Sequence, residues 1–89
     1  MTRPGNAAAA TTLTLYGRSY CHLCDEMLAA LAPLRDELGF AVDVVDVDSD
    51  AALERRFGVL VPVLTHLDTE LCHYHQDAPK VRAYLDKIR

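Results

Sequence analysis

Residues 13–28 read LTLYGRSYCHLCDEML. Leu13 and Leu15 alternate with Thr12, Thr14 and Tyr16, the period of two that marks a short strand. GRSY follows as a loop. From about Cys21 to Leu38 the period changes. Met27, Leu31, Leu34 and Leu38 fall at i, i+4, i+7 and i+11, one face of a helix. Asp25 and Glu26 stand in its first turn, where the helix dipole favours negative charge, and Gly39 follows as a stop. Pro33 removes a backbone bond and presses on the carbonyl of Ala29, so a kink or two helices end to end are expected there. Cys21 and Cys24 sit at the junction of strand and helix.

The rest of the chain extends this pattern. FAVDVVDV, Phe40 to Val47, is rich in β-branched residues and predicts a second strand. Asp48, Ser49 and Asp50 offer caps for a short helix from Ala51 to Phe57, closed by Gly58. VLVPVLTH, residues 59–66, predicts a third strand broken by Pro62. A turn at Asp68 and Thr69 leads into a fourth, LCHYH, residues 71–75. Asp77 caps a last helix that tolerates Pro79 in its first turn, with Val81, Leu85 and Ile88 as its buried stripe. The order is β-α-β-α-β-β-α. Strands joined through a helix should be parallel with a right-handed crossover, and strands joined by a tight turn antiparallel.

At 89 residues, about half of them apolar, the chain is one small domain. Residues 1–11 are expected to form a flexible N-terminal tail, and residues 12–89 the domain. The net charge of −4 and a pI near 5.4 argue against nucleic-acid or anionic-membrane partners, which select a basic face. No apolar run approaches the ~20 residues of a membrane span. The opening MTRPGNAAAATT lacks the apolar core of a signal peptide, so a cytoplasmic location is expected, where thiols stay reduced. Three cysteines, an odd number, argue against a structural disulfide framework. A monomer is expected.

Three readings of the cysteine pair compete: sulfurs that exchange electrons, sulfurs that hold a metal, and two small buried hydrophobes. A sulfur at a helix N-terminus meets free N–H groups and the positive end of the dipole, which favour thiolate over thiol. Such positions lower a cysteine pKa from about 8.5 to roughly 3.5–7.5. The thiolate is the nucleophile of disulfide exchange. Cys24, one turn further along, is within reach of Cys21. The βαβ context favours the redox reading over chance. Arg18, three residues before Cys21, can add positive charge.

Three segments resemble the glutaredoxin-like branch of the thioredoxin superfamily. LTLYGRSYCHLC is similar to that family's first strand and active-site loop, VDVDSD to its second strand and following turn, and FGVLVPVL to the segment carrying its cis-proline. The resemblance spans about Thr12 to Arg89. It implies an α/β, thioredoxin-like (glutaredoxin-type) fold with a four-stranded mixed sheet flanked by helices. It implies a thiol-disulfide oxidoreductase with Cys21 as nucleophile and Cys24 as resolving thiol. It implies a cis Val61–Pro62 bond, with Pro62 facing the cysteine pair and the Val61 backbone open to an extended substrate. Two departures stand out. Many glutaredoxins have proline and an aromatic between the cysteines, where this chain has His22 and Leu23. Those that bind glutathione carry a Gly-Gly pair before the last helix, where this chain reads HYHQDAP, residues 73–79. Asp77 matches the acidic position that follows, and Arg18 stands where a basic residue holds a glutathione carboxylate. His22 stands either beside the Cys21 thiolate or in solvent.

The partners implied are a disulfide-containing protein or a low-molecular-weight thiol, with glutathione or a reductase protein as electron donor and no bound cofactor. Two rival readings are a non-catalytic binding module that uses the groove at Pro62, and a metal-binding protein using Cys21 and Cys24. No metal site is expected at Cys72, His73 and His75, because on a strand the cysteine and the histidines face opposite ways. Cys72 is read as core, and His66, His73 and His75 as surface. Asp43, Asp46, Asp48 and Asp50 are read as a solvated edge and helix caps.

Overall fold

A computed structural model describes residues 11–88. Of the expected tail, residues 1–10 lie outside the described residues, and the Thr11 carbonyl is tied to the sheet, accepting the Ala41 N–H at 3.0 Å. Strand β1 (Thr12–Gly17) buries Leu13, Leu15 and Gly17 and leaves the alternate side chains half-buried, as a period of two requires. Gly17 is the last residue of this strand rather than the start of the loop. Helix α1 (His22–Leu38) buries Cys24, Met27, Leu31 and Leu34. It runs unbroken past Pro33, so the expected division into two helices does not occur. Pro33 points outward and its cost is met by the packed opposite face. Gly39 ends the helix in the left-handed conformation (φ 71°), and its N–H donates to the Arg35 carbonyl.

Strand β2 (Ala41–Asp46) pairs parallel with β1 from Thr12↔Ala41 to Gly17↔Asp46. A single 3-10 turn, Val47–Ser49, absent from the sequence expectation, follows. The Asp46 carboxylate opens it by accepting the Asp48 N–H at 2.8 Å. Helix α2 (Ala51–Phe57) is capped by Asp50, which accepts the Ala52 N–H at 2.7 Å. Strand β3 (Val63–His66) and strand β4 (Thr69–His73) complete a sheet in the order β2-β1-β3-β4, with β3 antiparallel to both neighbours. Helix α3 (Ala78–Ile88) starts where the Asp77 carboxylate accepts the Lys80 N–H at 3.1 Å. This is the thioredoxin-like, glutaredoxin-type architecture.

Two apolar clusters sandwich the sheet. On one face Leu13, Leu15, Leu64 and Leu71 pack against Met27, Leu31 and Leu34 of α1 and Val81 and Leu85 of α3. On the other, Val47, Phe57 and Val63 form a smaller cluster with Tyr16, Leu53, Leu60 and Val61 around it. Tyr16 stacks on Phe57 with ring centres 4.3 Å apart, which fastens α2 to the sheet.

Three expectations are corrected. Strand β3 begins after Pro62, not before it, because proline has no N–H for the ladder. Strand β4 runs Thr69–His73 rather than 71–75. Its register slips between Leu64 and Thr65, so Leu71 and Cys72 both enter the core and strict alternation fails. Tyr74 then leaves the strand with φ 64°. Finally, Ile88 is 40% exposed, and Tyr84 takes its place against the core. The Tyr84 hydroxyl meets His66 Nδ1 at 2.7 Å, which draws His66 partly into the protein.

Truncating Leu31, which is 1% exposed, to alanine should cost about 2–5 kcal/mol in urea unfolding. Ile88→Ala should cost under ~1 kcal/mol. Equal losses would place Ile88 back in the buried stripe.

Candidate active site

The loop between β1 and α1 delivers both sulfurs to one point. Tyr20 takes a left-handed conformation (φ 60°) with its side chain fully exposed, a backbone state that costs a non-glycine residue about 1–3 kcal/mol. The next residue, Cys21, returns to extended geometry (φ −105°, ψ 107°) and becomes the N-cap of α1. Its sulfur accepts the Cys24 N–H at 3.1 Å, so a sulfur fills the place usually held by a serine or aspartate oxygen. Cys21 and Cys24 are joined by a disulfide, with Cα atoms 5.2 Å apart. The two differ in access: Cys21 is half-exposed, while Cys24 is 8% exposed.

Gly17 makes the seat for the inner sulfur. A Cβ on Gly17 would lie 3.1 Å from Cys24 Sγ and 3.3 Å from its Cβ. The last strand residue is therefore a glycine because the disulfide packs on its backbone. Pro62 arrives at the same place through the sheet. Tyr16 pairs with Val63, and one step beyond that pair Gly17 lies opposite Pro62. The Val61–Pro62 bond is cis and Pro62 is fully buried. Val61 is half-buried against the smaller cluster.

Two distant residues brace this loop. Tyr74 donates its N–H to the Pro62 carbonyl at 2.9 Å and its hydroxyl to the Val59 carbonyl at 3.0 Å. It spans the segment before Pro62 from the far end of β4. The stretch HYHQDAP has no glycine, and a tyrosine carries its left-handed backbone. Arg18 points back toward α2 and the turn before it, where its guanidinium reaches Glu54 of α2 at 3.2 Å and Asp48 of the 3-10 turn at 3.7 Å.

The structure gathers some of the sequence-derived candidates and separates others. Cys21, Cys24 and Pro62 converge on the end of β1. His22 is exposed at the first position of α1. Arg18 flanks the disulfide but is paired with carboxylates. Asp77 is committed to capping α3, and its backbone N–H faces the Cys72 sulfur. Among the described residues, no three His, Cys, Asp or Glu side chains are grouped so as to hold a metal ion. The sequence reading missed Gly17, Tyr74 and Glu54. The signal for Gly17 lay in its position two after Leu15, which puts it on the buried face. Nothing local marked Tyr74 or Glu54, which act over long sequence distances.

Cys72 is the third cysteine, buried and unbonded. Burial pushes its thiol above the ordinary range, and the Asp77 N–H opposes this only in part. A raised folded-state pKa gives stability that is present below the ordinary thiol pKa and lost as pH rises through the folded value.

A disulfide opening the first helix of this sheet defines a glutaredoxin-like member of the thioredoxin superfamily. The chain belongs to the glutaredoxin-like domain family (DUF836), whose model matches residues 12–86. It is similar to the protein Ne2328 of Nitrosomonas europaea, at 41% identity and a TM-score of 0.76 over 83% of this chain and 89% of that one. It is also similar to protein XcR50 of X. campestris, at 47% identity and a TM-score of 0.69 over 84% and 96%. Thioredoxin 1 of Thermosipho africanus shares the fold at 17% identity, with a TM-score of 0.60 over 86% and 97%. No curated protein matches the sequence. No described helix is long and apolar enough to cross a membrane.

Gly17→Val should crowd Cys24, lower stability by about 1–3 kcal/mol and slow closure of the disulfide from the reduced protein, read by thermal melting and timed alkylation. Unchanged closure would show that the seat is not needed. With the disulfide intact, iodoacetamide should label Cys72 far more slowly in the folded than in the urea-unfolded protein, as counted by intact mass.

Proposed function

We propose that this protein is a thiol-disulfide oxidoreductase working through Cys21 and Cys24. The observation that carries the reading is the pairing of a half-exposed sulfur, capped by an N–H at the start of α1, with a buried sulfur bonded to it. In the reduced protein the α1 N-terminus favours the Cys21 thiolate, and a charged acceptor makes the Cys24 N–H bond stronger than a neutral one. Cys21 attacks one sulfur of a substrate disulfide. A Cys21–substrate disulfide forms, the substrate S–S bond breaks, and the first substrate thiolate leaves. Cys24, deprotonated as it reacts, then attacks the Cys21 sulfur. The Cys21–Cys24 disulfide closes and the second substrate thiolate leaves. The substrate gains two electrons, and an external thiol donor restores the protein dithiol.

The inner position of Cys24 supports its role as the resolving thiol, because a visiting disulfide reaches Cys21 first. The segment Val59–Pro62, held by Tyr74, gives an extended substrate a fixed edge beside the disulfide. No hydrogen bond involves the Val61 backbone among the described residues, so it is free to pair with a substrate main chain. Partners of this kind are disulfide-containing polypeptides or small disulfides, and the reductant is a thiol of the same classes. A reducing compartment such as the cytoplasm suits the cycle.

In Cys24→Ser, a substrate disulfide should leave a mixed disulfide on Cys21 that persists and is released by dithiothreitol, read by intact mass. Cys21→Ser should form no such adduct under the same exposure. If Cys24→Ser accumulates no adduct with any disulfide offered, the two-step scheme fails.

A further inference from the structure

One cleft reaches the disulfide and a second is lined by Leu23, between the two cysteines, and both carry a carboxylate. The first, about 250 Å3, lies between α1 and β2 and reaches the Cys24 side chain. Leu15, Leu28 and Val44 wall it, and Asp25 and Asp46 line the same space. Val44 is 60% exposed on the sheet edge and Leu28 40% exposed above it, so the floor is open to a visiting apolar group. The second cleft, about 310 Å3, lies between α1 and the chain after β4. Leu23 (between the two cysteines), Met27, Ala30 and Tyr74 wall it, with Glu26, His75 and Gln76 in the lining. Gln76 Oε1 is an acceptor without a partner.

The cation in this neighbourhood does not offset these carboxylates. Arg18 lines the first cleft, but its guanidinium faces Glu54 and Asp48. Arg56 lies over the Phe57 ring on the other face of the sheet, 4.8 Å from its centre. Asp25 and Asp46 thus line the cleft that reaches Cys24, Glu26 lines the second, and Asp48 and Glu54 hold the Nη2 of the one guanidinium that lines the first. His22 and His75 are the remaining titratable side chains there. The helix dipole acts on Cys21 itself and fades within the first turn, whereas the carboxylates act on the approaching molecule over about 8 Å at physiological salt.

We infer that the site selects disulfides bearing positive charge beside the reacting sulfur, and disfavours anionic disulfides such as glutathione disulfide. The inference rests on the oxidoreductase reading above and names its substrate class. A cationic arm on an apolar stem is complementary to either cleft: the stem lies along Leu28 and Val44, or Leu23 and Met27, and the charge meets Asp25, Asp46 or Glu26. Arg18, the cation lining the first cleft, has its Nη2 held by Glu54 and Asp48 while its Nε has no partner. An anion that sought the Nη2 would compete with both carboxylates. Attraction of this kind acts mainly on the association rate and is screened by salt.

The test uses the reduced full chain and three disulfides of similar size: cystamine (a dication), 2-hydroxyethyl disulfide (neutral) and 3,3′-dithiodipropionate (a dianion). Each rate of Cys21–Cys24 oxidation is divided by the rate of the same disulfide with dithiothreitol in the same buffer, which removes differences in leaving-group reactivity. The expected order is cation, neutral, anion, spanning on the order of tenfold at low salt and converging when ionic strength is raised to about 1 M, where the Debye length is about 3 Å. In the combined variant Asp25→Asn, Glu26→Gln and Asp46→Asn, the cation-to-anion ratio should fall several-fold. Any change in Cys21 acidity cancels in that ratio. If all three disulfides oxidise the pair with no charge order, or the anion leads, the selectivity is overturned while the oxidoreductase reading stands. A ratio the variant leaves unmoved also overturns it. If none oxidises the pair, the oxidoreductase reading itself fails.

Discussion

The short bond from the Cys24 N–H to the Cys21 sulfur organises this molecule. It ties the first turn of α1 to the end of the loop, and so decides where the helix begins. Neutral sulfur is a weak acceptor. A cap made from it gains strength when the sulfur carries charge, so in the proposed cycle a Cys21 thiolate would sit where helix formation already wants an acceptor. The same few atoms therefore serve folding and chemistry. Gly17 completes the arrangement from the strand side by leaving room for the inner sulfur.

Around this point the protein spends long-range contacts on the loops. Tyr74, in a strained backbone state, secures the chain before Pro62 with two hydrogen bonds. Arg18 ties the loop after β1 to α2 through Glu54 and to the turn before α2 through Asp48. Both ties are half-exposed, and exposed ion pairs contribute little to stability, about 0–1 kcal/mol. Their consequence is geometric: Tyr74 fixes the course of the chain before Pro62, and Glu54 and Asp48 hold the Arg18 Nη2.

Much of the fold was legible along the chain. Leu13 and Leu15 at a spacing of two, Met27, Leu31 and Leu34 at helical spacing, and the caps Asp50 and Asp77 each have local causes, and the structure carries each of them. Where a local rule met a tertiary demand, the tertiary demand won. Alternation along β4 would put Leu71 and Cys72 on opposite faces, yet the register slip buries both, because the core at that edge has room for two side chains. Ile88 fits the helical stripe of α3, but it lies at the helix's last turn, outside the core cluster and 40% exposed. Pro33 sits in a helix that packing keeps whole.

For the candidate site, the sequence by itself determined that two sulfurs share one helical turn, since spacing along a helix is a local property. It also determined the excess of acid over base. The tertiary structure decided which sulfur faces solvent, which glycine seats the other, that Pro62 lies opposite Gly17, and that Arg18 answers to Glu54 rather than standing free. These relations join residues tens of positions apart. They follow from sheet register and loop closure, which no window of sequence contains.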